Sequence, residues 1–280
     1  MAVVAGSVPI LMYHSVAPTT TDGFRPYTVT PARLREHLAA LRAAGWRPVT
    51  FAAAAAMLAA DRPPPADVVA LTFDDGLADF ATHALPQLAA HAVTATLFVP
   101  TAYVGARAGW LSGADADRRL LSWPGLADVA AAGIEIGSHG HQHVGLDVGS
   151  AASVRDEAAR SRGILCDRLG RDVRTFAYPF GYQTRAARTA VRAAGYDAAC
   201  SVVDLPATTV DSRYALPRLT ATQQLSGDEL VALLSHRFPP RERRWRHGKQ
   251  RVYGLARRTG RIGPRPHRLP PPGHSLSDGS

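Results

Sequence analysis

The sequence predicts an α/β fold, a distorted (β/α) barrel of about seven parallel strands, from three observations. The chain has 280 residues, 46% of them hydrophobic, which is enough to bury one large core. Short apolar runs alternate with helical patterns over most of this length, and such alternation is typical of parallel strands covered by helices. Seven or eight apolar runs qualify as strands, which favours a barrel over a doubly wound sheet.

Each predicted strand is a short apolar run. The strands are predicted at 8–14, 68–73, 94–99, 134–137, 175–178, 197–203 and near 215–219. Most predicted helices begin after a capping Ser or Thr or end at a glycine. They are predicted from Thr30 to Gly45, over 51–60, over 79–91, from Ser122 to Gly133, over 150–169, over 184–194, and from Ser226 onward.

The positive charge of the chain is concentrated at its C-terminal end. The net charge is +9, but residues 237–280 hold twelve Lys and Arg against two acids, and the rest is close to neutral. This segment is rich in Arg, Pro and Gly and poor in apolar residues. We therefore predict a folded domain over 1–236 and a disordered basic tail over 237–280. Specific nucleic-acid binding is not predicted, because few aromatic residues are interleaved with the basic ones.

The apolar segments do not have the features of membrane or export sequences. The N-terminus is apolar, but no Lys or Arg precedes Arg25 and Pro9 interrupts it, so it is predicted to be a strand rather than a signal peptide. The uncharged stretch 80–106 is broken by Pro86 and Pro100, which excludes a membrane span. A cytoplasmic protein is expected.

Ionisable side chains follow several of the predicted strands. His14 ends the first strand, Asp74 and Asp75 follow 68–73, and a histidine-rich run, His139 to His143, follows 134–137. Since sites in parallel α/β folds form at the C-terminal ends of strands, these residues should meet. Two imidazoles and one carboxylate bind a metal such as zinc and leave a position for water. The pattern therefore predicts metal-assisted hydrolysis.

Each motif also has a simpler interpretation. The Asp-Gly pair in TFDDG at 72–76 is common in turns. Loop histidines are often solvated or bind adventitious metal, and His14 alone could be a hydrogen-bonded core residue.

Side chains of adjacent strand residues point in opposite directions, so one of Asp74 and Asp75 can bind metal while the other faces the reacting water.

Together the motifs resemble a known family. LTFDDG at 71–76, GSHGHQH at 137–143 and FAYPFG at 176–181 resemble the polysaccharide deacetylases of carbohydrate esterase family 4. VPILMYHSV at 8–16 resembles the branch with an N-terminal Tyr-His strand, as in the poly-N-acetylglucosamine deacetylases. The resemblance runs from about Val8 to about His236. It implies a barrel of the polysaccharide deacetylase type that hydrolyses acetyl groups on sugars, and an N-acetylated sugar as substrate.

The resemblance also implies a role for each matched residue. The implied roles are Asp74 as catalytic base, Asp75, His139 and His143 as metal ligands, the backbone N–H of Phe180 as oxyanion donor, and His14 as general acid. The metal would be Zn²⁺, and the ligand set also accepts Co²⁺ or Ni²⁺. The particular sugar and the oligomeric state stay open.

The sequence departs from the family pattern at two positions. Gly140 replaces the usual Ser or Thr, which predicts weaker support for the metal loop. Ala177 replaces an Arg that orients the catalytic Asp, so Arg218 is the candidate replacement; the alternative is a surface arginine in an ordinary ion pair. Leu233 to His236 resemble the family's late Leu-x-His strand, but their phase is helical, which favours His14 as the acid.

Two other functions stay open at this point. The same constellation could hydrolyse another amide or an O-acetyl ester, because it does not specify the sugar. Alternatively, the domain is a degenerate scaffold, and its basic tail binds nucleic acid or an anionic membrane.

Overall fold

The structure is a computed structural model that describes residues 6–259, apart from the side chain of Arg251. The strands are β1 (Ser7–Val8), β2 (Ile10–Tyr13), β3 (Ser15–Val16), β4 (Thr28–Val29), β5 (Arg47–Val49), β6 (Val68–Phe73), β7 (Thr96–Val99), β8 (Glu135–Ser138), β9 (Thr175–Ala177), β10 (Ala198–Cys200), β11 (Ala207–Thr208) and β12 (Leu219–Thr220). The helices are α1 (Pro31–Ala43), α2 (Phe51–Ala59), α3 (Leu85–Ala90), α4 (Trp123–Ala131), α5 (Ala151–Leu169), α6 (Arg185–Ala193), α7 (Gly227–Ser235) and α8 (Pro240–Arg258).

Seven of these strands form one curled sheet, in the order β10-β9-β8-β7-β6-β2-β12, and neighbours in it are parallel. An eighth strand, β5, pairs with the N-terminal half of β6. A parallel bridge between Cys200 and Leu216 joins the segment before β12 to β10, so the two ends of the sheet meet. The predicted distorted (β/α) barrel of about seven parallel strands is confirmed.

The predicted elements differ from the structure mainly at the short strands. Strand β5 was not predicted, because it has only three residues, contains Pro48 and is partly exposed, so it shows no apolar run. The predicted helices are all present. Thr30, Ser122 and Ser226 cap α1, α4 and α7 through their side-chain oxygens, as predicted.

The period of two along β6 separates the two sides of the sheet. Leu71 and Phe73 pack outward against the helices, whereas Val68 and Ala70 face the barrel interior. Apolar side chains of α2 pack against Val68 and Ala70 in the same interior cluster. Asp74 continues this alternation: it follows Ala70 and Thr72 on the interior side, and its N–H donates to the carbonyl of Tyr13 on the neighbouring strand. The carboxylate therefore enters the barrel rather than the solvent.

The prediction that the tail 237–280 is disordered is wrong for residues 240–258, which form α8. Arg257 donates to Asp147 (Nε–Oδ2 3.0 Å) and Arg243 donates to Asp211 (Nη2–Oδ2 3.0 Å), so acids of the preceding domain bind the basic helix. Gln250 also donates to the carbonyls of Gly181 and Val202. The prediction was wrong because it was based on the composition of the tail alone, which does not show that distant acids, Asp147 and Asp211, bind its arginines.

The rest of the predicted tail, residues 260–280, lies outside the described residues. Every helix within residues 6–259 is too short or too polar to cross a bilayer. This agrees with the absence of a predicted membrane span in that part of the chain.

We expect the Arg257–Asp147 ion pair to control the docking of α8. Both side chains are buried, so Arg257→Ala leaves a buried carboxylate unpaired and should weaken docking by roughly 3 kcal/mol. Hydrogen exchange of the amides in α8 should accelerate accordingly, while exchange in β6 and β8 stays the same. Replacement of the exposed Arg241 by Ala is the matched control. Unchanged protection of α8 in Arg257→Ala would contradict this account of how the helix is held.

Candidate metal centre and active site

Asp75, His139 and His143 form a buried cluster where β6 and β8 end. One ligand atom from each of the three residues lies within 4.8 Å of the others. Oδ1 of Asp75 is 3.1 Å from Nε2 of His143 and 3.6 Å from Nε2 of His139. The structure thus brings the three sequence-predicted metal ligands together, with two nitrogens and one oxygen facing a common point.

The imidazole of His139 is held in the form that binds a metal. Its Nδ1–H donates to the carbonyl of Ala177 at 2.8 Å, which directs the lone pair of Nε2 toward Asp75. Burial lowers the pKa of His139 to about 4, although the carboxylates of Asp74 and Asp75 oppose this. The ring is therefore neutral at physiological pH, as a metal ligand must be.

The environment of Asp75 fits a divalent cation. Both carboxylate oxygens are buried, and neither accepts a well-directed hydrogen bond from a described residue; His143 is close by, at the 3.1 Å already given. Burial alone would raise the pKa of Asp75, but nearby imidazoles, that of His143 above all, hold it well below its ordinary value. A buried carboxylate that lacks hydrogen bonds is costly unless a cation satisfies it. The cluster therefore has the chemistry of a metal site.

Backbone strain is concentrated around this cluster. Asp75, His143 and Phe180 have φ values of 74°, 55° and 60°, in the left-handed region that non-glycine residues rarely adopt. Such conformations persist only where the surrounding structure enforces them, and they are common at functional sites. All three belong to the motifs from which the site was predicted.

Arg218 binds the carboxylate of Asp74 with both ends of its guanidinium. The Nη1–Oδ1 and Nη2–Oδ2 distances are both 2.7 Å, and Nη1 also donates to Thr72 Oγ1. Arg218 has 0% exposure, so the alternative of a surface arginine is wrong. Burial alone would raise the pKa of Asp74, but the guanidinium of Arg218, together with the nearby imidazoles of His139 and His14, holds that pKa below the ordinary value. Arg218, from the segment before β12, thus provides the positive charge that the family's arginine would provide at position 177.

His14 and Phe180 lie beside the same cluster. His14 follows β2, its ring meets Tyr27 edge-on at 5.3 Å, and its charge helps to lower the pKa of both Asp74 and Asp75. The ring of Phe180 lies 4.9 Å from that of His143, edge to face. The structure therefore gathers all seven predicted site residues in one region. The assigned chemical roles stay predictions.

Glu157 of α5 supports the metal loop where the family hydroxyl is absent. Its Oε2 accepts hydrogen bonds from the backbone N–H groups of His141 and Gln142, at 2.8 and 3.0 Å. A Cβ at position 140 would lie 3.0 Å from the same oxygen, and Gly140 has φ +79°. The carboxylate therefore takes the space that a side chain would need, and the loop does not lack support as the sequence analysis expected.

Glu157 was not among the residues predicted from the sequence, although one signal pointed to it. An acid at position 157 lies on the buried side of α5, between Val154 and Ser161. An acidic residue on an otherwise buried helix face normally has a specific partner. The same loop also buries His141, whose Nδ1 is 2.8 Å from Thr101 Oγ1, so this histidine is a structural residue rather than a solvated one.

Trp110 is a second residue that the sequence analysis missed. Its ring stacks on His143 with a centroid distance of 4.1 Å and an interplanar angle of 21°. Its Nε1–H is buried and forms no hydrogen bond within residues 6–259. Trp110 lies in the loop between β7 and α4, which has no motif or periodicity, so nothing in the sequence distinguished it.

Part of this chain is similar to known polysaccharide deacetylases. Residues 61–199 match the family model described as polysaccharide deacetylase. This range includes Asp74, Asp75 and the histidine run, whereas His14 and Arg218 lie outside it. The chain is also 26% identical over 227 residues to YxkH of Bacillus subtilis (strain 168), which bears the name of a polysaccharide deacetylase; the match covers 81% of this chain and 76% of YxkH.

Solved structures show the same fold. The Streptococcus pyogenes deacetylase PplD, in complex with acetate, is 22% identical with a TM-score of 0.73, covering 84% of this chain and 100% of PplD. IcaB from Ammonifex degensii is 24% identical with a TM-score of 0.70, covering 82% and 98%. These two likenesses establish the fold of the barrel.

We expect Glu157 to set metal affinity without touching the metal. Glu157→Ala removes both hydrogen bonds to the loop and should weaken divalent-metal binding about 10- to 100-fold. Glu157→Gln retains an acceptor oxygen and should bind more tightly than the alanine variant. Competition titration against a chromophoric chelator measures both affinities. Equal affinities in wild type and Glu157→Ala would show that Glu157 is not needed for the loop.

The pH dependence of stability should report His139 in the metal-free protein. The pKa of this histidine falls from 6.5 in the unfolded chain to about 4 in the folded one, so the unfolded state binds the proton first. The free energy of unfolding should therefore decrease as the pH falls from 6.5 to 4, by up to about 3 kcal/mol from this group. Urea unfolding with a chelator present, compared between wild type and His139→Gln, isolates the effect. Wild type should lose more stability over this pH range than His139→Gln. An equal loss in the two proteins would show that His139 is not buried as described.

Proposed function

We propose that this chain is a metal-dependent hydrolase that removes N-acetyl groups from an amino-sugar glycan or glycoside and releases acetate. The match of residues 61–199 to the polysaccharide deacetylase family model supports this proposal. One observation carries the proposal: a carboxylate held by Arg218 lies directly beside a buried Asp-His-His cluster. Oδ2 of Asp74 is 3.9 Å from Nε2 of His139, so the candidate base and the candidate metal ligands face the same space.

The proposed metal site consists of Asp75, His139 and His143. Zn²⁺ suits its two nitrogen donors and one carboxylate oxygen, and Co²⁺ or Ni²⁺ would also fit. When bound, a divalent ion in this site would polarise the acetyl carbonyl and acidify the attacking water.

Asp74 is proposed as the general base. The bidentate Arg218 pair keeps Asp74 ionised and fixes its orientation, while the second lone pairs of its oxygens stay available. A carboxylate with a low pKa is a weak base, so this arrangement suits a water that has itself been acidified. Asp74 would accept the proton of that water as the water attacks the acetyl carbonyl carbon.

His14 and Phe180 are proposed to act on the other two groups of the tetrahedral intermediate. The backbone N–H of Phe180 would donate to the oxyanion, and the imidazolium of His14 would protonate the departing amine. An amine leaves poorly unless it is protonated. The place of His14 beside both carboxylates therefore favours N-acetyl over O-acetyl substrates.

The function is tested by acetate release from N-acetylglucosamine oligomers, together with bound metal per chain by mass spectrometry. Asp74→Asn should lower kcat by about 10²- to 10⁴-fold and leave metal content unchanged, since the residue is assigned as base and not as ligand. Asp75→Ala should lose both metal and activity. Arg35→Gln, an exposed substitution on α1, is the control for handling losses. The proposed function would be refuted if the metal-loaded wild type released no acetate. The assignment of Asp74 as base would be refuted if Asp74→Asn hydrolysed, at a near-normal rate, a sugar that the wild type hydrolyses.

The role of His14 is tested by a change of leaving group. His14→Gln should slow N-acetyl hydrolysis by about 10²-fold or more, because the amine then leaves unprotonated. The same variant should act nearly normally on an activated aryl acetate, whose leaving group needs no proton. A loss of equal size on both substrates would remove His14 from the role of general acid.

A further inference from the structure

The helix α8 has an unusual distribution of side chains. A helix that packs on a domain normally turns its apolar side inward. In α8, however, the polar side chains of Arg243, Arg257 and Gln250 face inward and bind acids and carbonyl groups of the barrel, and the ring of Tyr253 is the aromatic group beside them. Trp245, Val252 and Leu255 are instead 61%, 69% and 56% exposed.

The outer face of α8 combines these apolar side chains with positive charge. We define this face by the exposed residues Arg241, Arg244, Trp245, Lys249, Val252, Leu255 and Arg258. No acidic side chain lies among the exposed residues of α8 that the structure describes. Glu242 is the one acid of the helix, and Arg246 binds it at 2.8 Å. The ammonium of Lys249 lies 5.3 Å from the centre of the Trp245 ring, so charge and apolar surface are in direct contact.

Exposed apolar residues elsewhere in the described chain lie close to this helix. Within residues 6–259, the other exposed large hydrophobic side chains are Val144, Val148 and Val210. Val144 and Val148 flank Asp147, which binds Arg257, and Val210 precedes Asp211, which binds Arg243. The exposed apolar surface is therefore gathered on α8 and on the two loops that hold it, rather than scattered.

We propose that the outer face of α8 binds the surface of a bilayer that contains anionic phospholipids. Cationic side chains interact with lipid phosphates, while Trp, Val and Leu enter the boundary between headgroups and acyl chains. RNA would use the charges and could stack on Trp245, but it offers nothing to Val252 and Leu255. The combination of four cations with two exposed aliphatic side chains thus favours a lipid surface.

The inference does not depend on the proposed function, since no residue of the outer face belongs to the candidate site. It does concern the same end of the barrel. The inner side of α8 contacts Tyr182, two residues after Phe180, by the stacking of Tyr253 at 5.6 Å and by Arg257 over the Tyr182 ring at 4.3 Å. A membrane bound to α8 would therefore lie at the end of the barrel that carries the metal centre.

The test is co-sedimentation of the full chain with vesicles of phosphatidylcholine, with and without phosphatidylglycerol, at low and at high salt. We expect binding only to the anionic vesicles, weakened by salt. An apolar variant, Trp245→Ser with Val252→Ser and Leu255→Ser, and a charge variant, Arg241→Gln with Arg244→Gln and Lys249→Gln, should each bind more than about tenfold more weakly.

A matched control carries Arg35→Gln, Arg42→Gln and Arg62→Gln, which neutralise the same number of exposed cationic side chains, three, on and near α1 and α2. It has the net charge of the charge variant and should bind vesicles like wild type. Hydrogen exchange of α8 confirms that each variant keeps the helix docked. Equal binding to both vesicle types, or equal losses in the charge variant and the control, would overturn the proposal. RNA binding that the charge variant loses and the apolar variant retains, without vesicle binding, would assign the face to nucleic acid instead.

Discussion

The buried ion pair between Asp74 and Arg218 is the interaction on which the arrangement of the site depends. A carboxylate at the interior end of β6 cannot be stripped of water without a compensating charge. Arg218 provides that charge in bidentate geometry, and it comes from the segment that joins β10 to β12 and so connects the two ends of the curled sheet. The segment that carries Arg218 to the candidate base thus also joins the two ends of the sheet, through the bridge between Leu216 and Cys200. The geometry of the candidate site and the closure of the sheet depend on the same segment.

The candidate metal site depends on its surroundings in the same way. Two of its candidate ligands, Asp75 and His143, adopt left-handed backbone conformations, which the surrounding contacts must stabilise. Glu157 binds the loop from α5, the carbonyl of Ala177 orients His139, and Trp110 covers His143. Each of these supports comes from a different element. The ligands are consequently held in position by the packing of the barrel as a whole.

The C-terminal helix illustrates how far composition can mislead. A segment rich in arginine and poor in apolar residues has the signature of disorder, because it cannot bury enough apolar surface to offset the loss of chain entropy. In α8 that surface is replaced by ion pairs and hydrogen bonds to Asp147, Asp211 and backbone carbonyls. Some of the arginines that suggested disorder, Arg243 and Arg257, dock the helix, and three others, Arg241, Arg244 and Arg258, lie on its outer face with Trp245.

The sequence by itself determined the alternation of strands and helices, the caps of α1, α4 and α7, and, through the resemblance of its motifs to a family, the seven candidate residues of the site. These features depend on local patterns, since an apolar run, a capping side chain or a motif at a strand end involves only neighbouring residues. The tertiary structure alone decided that Arg218 binds Asp74 across 144 positions, that Glu157 replaces a missing hydroxyl, and that Arg257 finds Asp147 across 110. Such pairs leave no periodic trace in the sequence, because their energy arises only when the fold brings distant charges out of water together.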